Sequence, residues 1–388
     1  MEIPSFNALI QQSIIDHWDM DALTDYKGAT LQYHDVARKI EKLHIMFENS
    51  GVVKGDKIAL CGRNSANWAV AFLATLTYGA IAVPILHEFM PEQIHNIVNH
   101  SDAKLLFVGD VVATQVDATK MPGLEGIIYI PDYSLVVSRT DKLTYAREHL
   151  NEMFGIKYPK YFRKNHVNYY IDQDPNELAM INYTSGTTGF SKGVMVPYRA
   201  LWSNADFAEN VLGKKIKAGD SVISILPMAH MYGMSFEFIF EFIKGCHIFY
   251  LTRIPSPAII AEAFLIKPNN HELGEIFGVT LKTREEVIPY GRKLQEKGAR
   301  NVLISMAGEG AVLIAENGEV YSSPAPKGTL VNGVGAGDSM VAGFMAGWME
   351  KQDYEHAFHM GVATGSASAF SEYLATRPEV EEVYKQLV

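Results

Sequence analysis

Cysteine is nearly absent: Cys61 and Cys246 are the two in 388 residues. Neither a disulfide framework nor a cysteine-rich zinc site can be built from them, and the cytosol is the expected compartment. Positive charge is also scarce, with 34 Lys and Arg against 44 Asp and Glu and a formal net charge of -10. Nucleic-acid phosphates and anionic lipid both call for clustered Lys and Arg, so this balance argues against either as a partner. A small anionic substrate needs only a few local cations. No fixed-period repeat and no low-complexity tract occurs. The first residues, Met1-Glu2-Ile3-Pro4-Ser5-Phe6, lack the positive region and apolar run of a secretory signal. With 48% hydrophobic residues, disorder is excluded as the dominant state.

One run imitates a membrane span: Trp68 to Leu86 is nineteen residues without a charge. Gly79 suits a helix C-terminus, and Ala80 to Leu86 then reads as a buried strand ending at Pro84. The expectation is a helix, a turn and a strand, with no integral membrane span.

The residues before Leu265 alternate amphipathic helices (Phe6 to Ile15, His34 to Glu48) with short apolar runs (Lys57 to Cys61, Ala80 to Leu86, Lys104 to Val108, Leu178 to Tyr183). That pattern predicts an α/β architecture around a largely parallel sheet. A polar and aromatic stretch, Lys157 to Asp174, reads as an elaborated loop. From Leu265 the alternation resumes, with a strand ending at Ile266, a helix over Arg284 to Lys297, a strand over Asn301 to Met306, a hairpin at Asn317-Gly318 and a helix from about Ser339. Between the parts, Ser256-Pro257 opens a short helix over Ala258 to Phe264, and no linker follows it. Glycine marks the change: 16 of 31 lie in residues 1–264 and 15 in the 124 from 265 onward, while charge is even, 23 basic and 28 acidic before and 11 and 16 after.

Two loops carry candidate chemistry. Behind Leu178 to Tyr183 stands Thr184-Ser185-Gly186-Thr187-Thr188-Gly189-Phe190-Ser191-Lys192-Gly193. Glycines let backbone approach an anion, the hydroxyls and N–H groups donate to phosphate oxygens, and Lys192 adds a mobile charge. It is not a Walker A loop, since Gly193 stands where Ser or Thr is required. By composition alone a solvated turn stays open. The full string resembles the phosphate loop of the acyl-adenylate-forming superfamily, in particular the fatty-acyl-CoA synthetases, with Ser191 where proline is usual. The resemblance extends through Leu31-Gln32-Tyr33, Tyr78-Gly79-Ala80 to Pro84, and Pro227-Met228-Ala229-His230-Met231-Tyr232-Gly233. It implies that Thr184, Ser185, Gly186, Thr187, Thr188 and Lys192 hold the phosphates of ATP, and that His230 and Tyr232 border the acyl site; His230 taken alone reads as a structural histidine. The implied chemistry is attack of a fatty-acid carboxylate on the α-phosphorus, then thioester formation with CoA. The family's downstream segments for adenine and Mg2+, for ribose, and for a catalytic lysine do not follow: Tyr290-Gly291 continues into Arg-Lys-Leu, and Gly219-Asp220 precedes the His230 motif.

The second loop, Val331 to Asp338, contains Gly333, Gly335, Ala336 and Gly337 and leads into an apolar helix. Its N–H groups and the helix dipole suit an anion, and Asp338 could accept a substrate hydroxyl proton or simply cap the helix. With Asn269-Asn270-His271-Glu272 and Ser305-Met306-Ala307-Gly308-Glu309-Gly310, the loop resembles the C-terminal half of ribokinase-like (PfkB) sugar kinases, most of all 1-phosphofructokinases and tagatose-6-phosphate kinases. The resemblance implies Asp338 as catalytic base, Ser305, Gly308, Gly310, Gly335, Ala336 and Gly337 around ATP, and Asn269 and Glu272 toward Mg2+. Ala307 replaces a usual glycine and Gly333 a usual serine, and no sugar-binding half precedes Leu265.

The expected fold is thus an incomplete acyl-adenylate-forming N-terminal domain, residues 1–264, fused to the C-terminal half of a ribokinase-like α/β domain, residues 265–388. Fatty-acid activation, sugar-phosphate phosphorylation and a non-catalytic nucleotide-binding chimera all remain open. The incomplete sheets are expected to favour self-association.

Overall fold

Buried on both faces, a parallel strand must be apolar almost throughout, and Ile58-Ala59-Leu60-Cys61 and Ile81-Ala82-Val83-Pro84-Ile85 are buried at every position. In the computed structural model, which describes residues 5–171, 174–184, 192–251, 264–333, 335–371 and 375–388, these runs lie at the centre of a seven-stranded sheet. The chain forms two units, Met1–Ile254 and Pro255–Val388. The expected joint at 264/265 falls slightly beyond that division, and the expected helix from Ser256 lies almost wholly outside the described residues.

In the first unit the strands run β1 (Asp21–Asp25), β2 (Thr30–Gln32), β3 (Lys57–Cys61), β4 (Ile81–Ile85), β5 (Ala103–Val108), β6 (Gly126–Tyr129), β7 (Leu135–Ser138), β8 (Leu178–Thr184), β9 (Lys192–Pro197), β10 (Ser221–Ser224) and β11 (His247–Tyr250). The large sheet has the order β7-β6-β5-β3-β4-β8-β9. It is parallel from β6 to β8, with antiparallel β7 and β9 at its edges. A smaller sheet, β10-β11-β1-β2, is parallel except for β2. Pro84 fits an interior strand because β4 and β8 are in register only at Ala82 and Met180, so its missing N–H falls where that ladder has lapsed.

The uncharged run resolves into a buried helix, Ala66–Tyr78, capped by Ser65 Oγ accepting from the Trp68 N–H at 3.1 Å and closed by Gly79 at φ 87°, followed by β4. Thirteen residues make about 20 Å of helix, short of the ~30 Å hydrocarbon layer. No helix among the described residues is long and apolar enough to cross a membrane.

Beneath the smaller sheet, Glu241 is buried with its Oε2 lacking any hydrogen-bond partner. Burial, reinforced by neighbouring Glu237, raises its carboxyl from the ordinary 4.5 to about 7. An acid whose folded pKa is raised favours the fold while protonated. The first unit is therefore expected to lose stability as pH rises from about 4.5 and to level off above about 7, a loss on the order of 3 kcal/mol. Glu241→Gln should flatten that slope. Urea midpoints at pH 5 and pH 8 check it, and parallel curves for parent and variant would refute it.

The second unit is a three-layer arrangement with sheet order β12 (Leu265–Ile266), β13 (Asn301–Ser305), β14 (Ala311–Ile314), β15 (Val320–Ser323). Side chains alternate across β13. Val302 and Ile304 pack with Leu273, Val287 and Leu294 of helices Asn270–Phe277 and Arg284–Glu296, while Leu303 packs with Met340, Phe344 and Phe358 of helices Ala336–Lys351 and Tyr354–Phe370. The β14–β15 hairpin turns at Asn317-Gly318, where Gly318 has φ 89°.

Candidate functional site

The first candidate site begins where β8 ends. Thr184 and Lys192 are register partners across the β8–β9 hairpin, and Lys192 is exposed. Ser185, Gly186, Thr187 and Thr188 lie outside the described residues. Gly193 opposes Tyr183, where a Cβ would come within 3.1 Å of the phenol ring, so glycine sets how closely the hairpin closes. The Tyr183 hydroxyl meets His100 Nδ1 at 2.7 Å.

Two asparagines that sequence reasoning missed hold the His230 motif. Asn182, buried in β8, donates through Nδ2 to the Ala229 carbonyl at 2.9 Å, tying the phosphate-loop strand to the residue before His230. Asn64 donates to the Leu226 carbonyl at 2.7 Å and accepts from the Met228 N–H at 2.8 Å. Glu237 adds to the clamp by accepting from the Ile225 and Leu226 N–H groups at 2.7 and 2.8 Å, although burial raises its pKa. The signal was a polar residue inside an apolar strand, Leu-Ala-Met-Ile-Asn-Tyr, since buried amides are kept where they are hydrogen-bonded. His230 caps the short helix Met231–Met234, its Nδ1 accepting from the Tyr232 N–H at 3.3 Å. The Tyr232 ring is partly exposed and 5.0 Å from that of Phe236.

The second candidate site lies at the C-terminal end of β13. The Ser305 N–H donates to the Pro268 carbonyl at 3.2 Å, and Asn269 and Ser305 form a parallel bridge. Lys267, also missed, donates through Nζ to Ser305 Oγ at 3.3 Å. A Cβ at Gly337 would sit 3.3 Å from the same Nζ, so the lysine ammonium lies against the first turn of helix Ala336–Lys351. The helix starts three residues earlier than expected. Gly335, left-handed at φ 79°, is its N-cap, and Asp338 stands third within the helix, so Asp338 is not itself the N-cap residue. A cation, a helix N-terminus and the Ser305 hydroxyl thus converge from three chain segments, a donor set suited to phosphate oxygens.

The remaining predicted residues divide by role. At Gly310, φ is 98° and a Cβ would fall 2.0 Å from the Ser323 carbonyl oxygen, so only glycine fits. Around Gly308 the space is open. Ala307 holds φ 48°, a left-handed conformation that costs a non-glycine residue about 1 kcal/mol, so its replacement of the usual glycine is paid in strain rather than in lost chemistry. Asn269 and Glu272 form a capping box: Asn269 Oδ1 accepts from the His271 and Glu272 N–H groups at 2.9 Å, and Glu272 Oε2 accepts from the Asn269 N–H at 2.7 Å. No group of three or more His, Cys, Asp or Glu suited to a metal occurs among the described residues. Ligation of Mg2+ by this pair would compete with the caps.

Two family models match the chain, overlapping over residues 249–268. The AMP-binding enzyme family model matches residues 11–268, and the pfkB family carbohydrate kinase model matches residues 249–380. The 1-phosphofructokinase of Bacillus subtilis is 53% identical over 126 residues, 32% of this chain and 41% of that protein. Long-chain-fatty-acid–CoA ligase 6 of Mus musculus is 26% identical over 231 residues, 56% of this chain and 31% of that protein. The chain thus spans less than half the length of either relative. Among solved structures, the N-terminal domain of FACL13 from Mycobacterium tuberculosis superposes with a TM-score of 0.56 at 17% identity, covering 81% of this chain and 79% of that one. MatB from Rhodopseudomonas palustris gives 0.54 at 18% identity, covering 85% and 64%. At such identities the likeness concerns the fold alone. Residues 249–380 match the pfkB family carbohydrate kinase model, and the chain belongs to the AMP-binding enzyme family.

Proposed function

We propose that residues 1–264 bind ATP and a fatty acid and activate the acid, first as acyl-adenylate and then as acyl-CoA, at a rate lowered by the missing downstream segments. The observation carrying this reading is the Asn182–Ala229 bond, which couples the strand bearing the phosphate loop to the His230 motif. A carboxylate oxygen attacks the α-phosphorus, the bond to the bridging oxygen of the β-phosphate breaks, and pyrophosphate leaves with the electron pair. The CoA sulfur then displaces AMP. Thr184, Ser185, Thr187 and Thr188 donate to phosphate oxygens, Lys192 offsets their charge, and His230 and Tyr232 border the acid. Mg2+, when bound, would offset further triphosphate charge. Lys192 is exposed, so its charge acts through solvent and its loss is milder than that of a buried donor. Fatty-acid-dependent exchange of pyrophosphate into ATP should fall about tenfold in Lys192→Ala. Exchange that is absent from the parent, or equal in the variant, counts against this reading.

A second reading, a sugar-phosphate kinase of the 1-phosphofructokinase type, is favoured by the convergence of Lys267, Ser305 and the Gly337 turn. Phosphorus NMR with ATP, Mg2+, CoA, fatty acids and fructose 1-phosphate separates the two, AMP with pyrophosphate marking the first and ADP the second. Neither product would leave a nucleotide-binding chimera without turnover. Both readings place the chain in the cytosol. Self-association belongs to the same proposal: Val194 and Met195 on edge strand β9 are 49% and 67% exposed, and an unpaired apolar edge invites pairing. A single monomeric species by light scattering at micromolar concentration would refute it.

A further inference from the structure

The stretch read as an elaborated loop has a feature that neither activity uses. Residues 153–171 contain no Asp or Glu, and Lys157, Lys160, Arg163 and Lys164 fall within eight positions of a chain whose net charge is -10. The segment leaves helix Leu150–Lys157 and is pinned by rings: Phe162 lies 5.8 Å from Phe154, 5.0 Å from Tyr158 and 6.2 Å from Trp18. With those rings turned inward, the tip projects Ile156, 72% exposed, and Tyr161, 69% exposed. Lys157 is committed to Glu41 at 2.8 Å. Lys160, Arg163 and Lys164 are exposed and make no ion pair among the described residues, and the Arg163 guanidinium lies 5.6 Å from the Tyr161 ring centre.

We propose that the tip over residues 156–164 is a docking surface for an anionic lipid bilayer. Exposed aliphatic and tyrosyl side chains ringed by unpaired cations suit the lipid interface: the cations meet phosphates while Ile156 and Tyr161 enter the boundary between headgroups and acyl chains. Nucleic acid is the poorer match. Base stacking along a strand needs several free aromatic faces, whereas Tyr158 and Phe162 are used within the protein, the exposed Tyr161 ring is the single one left at the tip and has Arg163 against it, and exposed Ile156 has nothing to offer a base. Overall charge argued against an anionic surface. Local clustering overrides it, because fields from the acidic remainder are screened within about 8 Å in physiological salt, and it dictates which face approaches.

The test is sedimentation of the full chain with phosphatidylcholine vesicles, with and without phosphatidylglycerol. Binding is expected only with phosphatidylglycerol and should weaken as salt rises. At about fivefold per basic residue, Lys160→Ala, Arg163→Ala and Lys164→Ala together should lower partitioning about a hundredfold. Ile156→Ser with Tyr161→Ser should lower it while the salt dependence stays. All five side chains are exposed, and an unchanged thermal midpoint confirms folding. No sedimentation with either vesicle, equal sedimentation with both, or full binding by the triple variant overturns the proposal. So would binding of a single-stranded homopolymer lost in the same variant while vesicles stay unbound.

Discussion

Gly343→Val is expected to cost the second unit about 3–5 kcal/mol, enough to unfold it or leave helices Ala336–Lys351 and Tyr354–Phe370 exchanging freely with solvent. A Cβ at position 343 would lie 2.3 Å from Thr364 Oγ1 and 2.6 Å from the Met360 carbonyl oxygen. The hydroxyl could turn away, but the carbonyl belongs to the facing helix, so the helices themselves must separate. The same contact recurs along the pair. Gly347 faces Met360 and Ala357, Gly361 faces the Met340 carbonyl, and Gly365 faces the Ala336 carbonyl, each too near for a Cβ without adjustment. Two small-residue pairs four apart, Gly343 with Gly347 and Gly361 with Gly365, thus let two backbones approach as a unit. The contact also sets the phosphate site, because Gly365 lies against Ala336, the first residue of the helix carrying Asp338. Hydrogen exchange read by mass spectrometry over 336–370 is the check, with Ala346→Val, on the exposed face, as a control costing about 0.5 kcal/mol. Unchanged protection in Gly343→Val would show that the helices can separate without loss.

These glycines were visible only as a doubled density after Leu265. Composition told that the region differs; it could not tell that the glycines face one another, because facing depends on how two helices are rotated. Elements with strong local signals were legible: Gly79 closes a helix by its own capping chemistry, and Asn317-Gly318 forces a turn. The antiparallel edges of the large sheet were not, although β7 and β9 pair with the strands just before them: Leu135–Ser138 is only four residues long and Lys192–Pro197 is exposed over half its length, so neither presents a buried alternating face to read. The same limit applies at the sites. Gly335 to Asp338 stand out because glycines and an acid are contiguous. Lys267 and Ser305 are 38 positions apart and meet through the β12–β13 register, and Asn182 reaches Ala229 across 47. What a string conveys is chemistry held within one turn, whereas chemistry assembled from three strands needs the fold.

Asp338→Asn separates a base from a bystander in the kinase reading. The side chains are nearly isosteric, so the variant keeps the third helical position behind Gly335 and loses only charge and proton affinity. Losing a carboxylate from a helix first turn costs about 0.3–1 kcal/mol of stability, too little to unfold the unit. If Asp338 accepts the proton of the attacking sugar hydroxyl, ADP release dependent on fructose 1-phosphate should fall about 10²–10⁴-fold. Nucleotide affinity should change little, since Lys267, Ser305 and the N–H groups of the first turn are untouched. The split between turnover and binding is decisive, because a variant that misfolded would lose both. Equal turnover in parent and variant would remove Asp338 from the chemistry. A parent that binds ATP at this unit yet releases no ADP would show that the phosphate cradle alone, without a sugar-binding half before it, does not make a kinase.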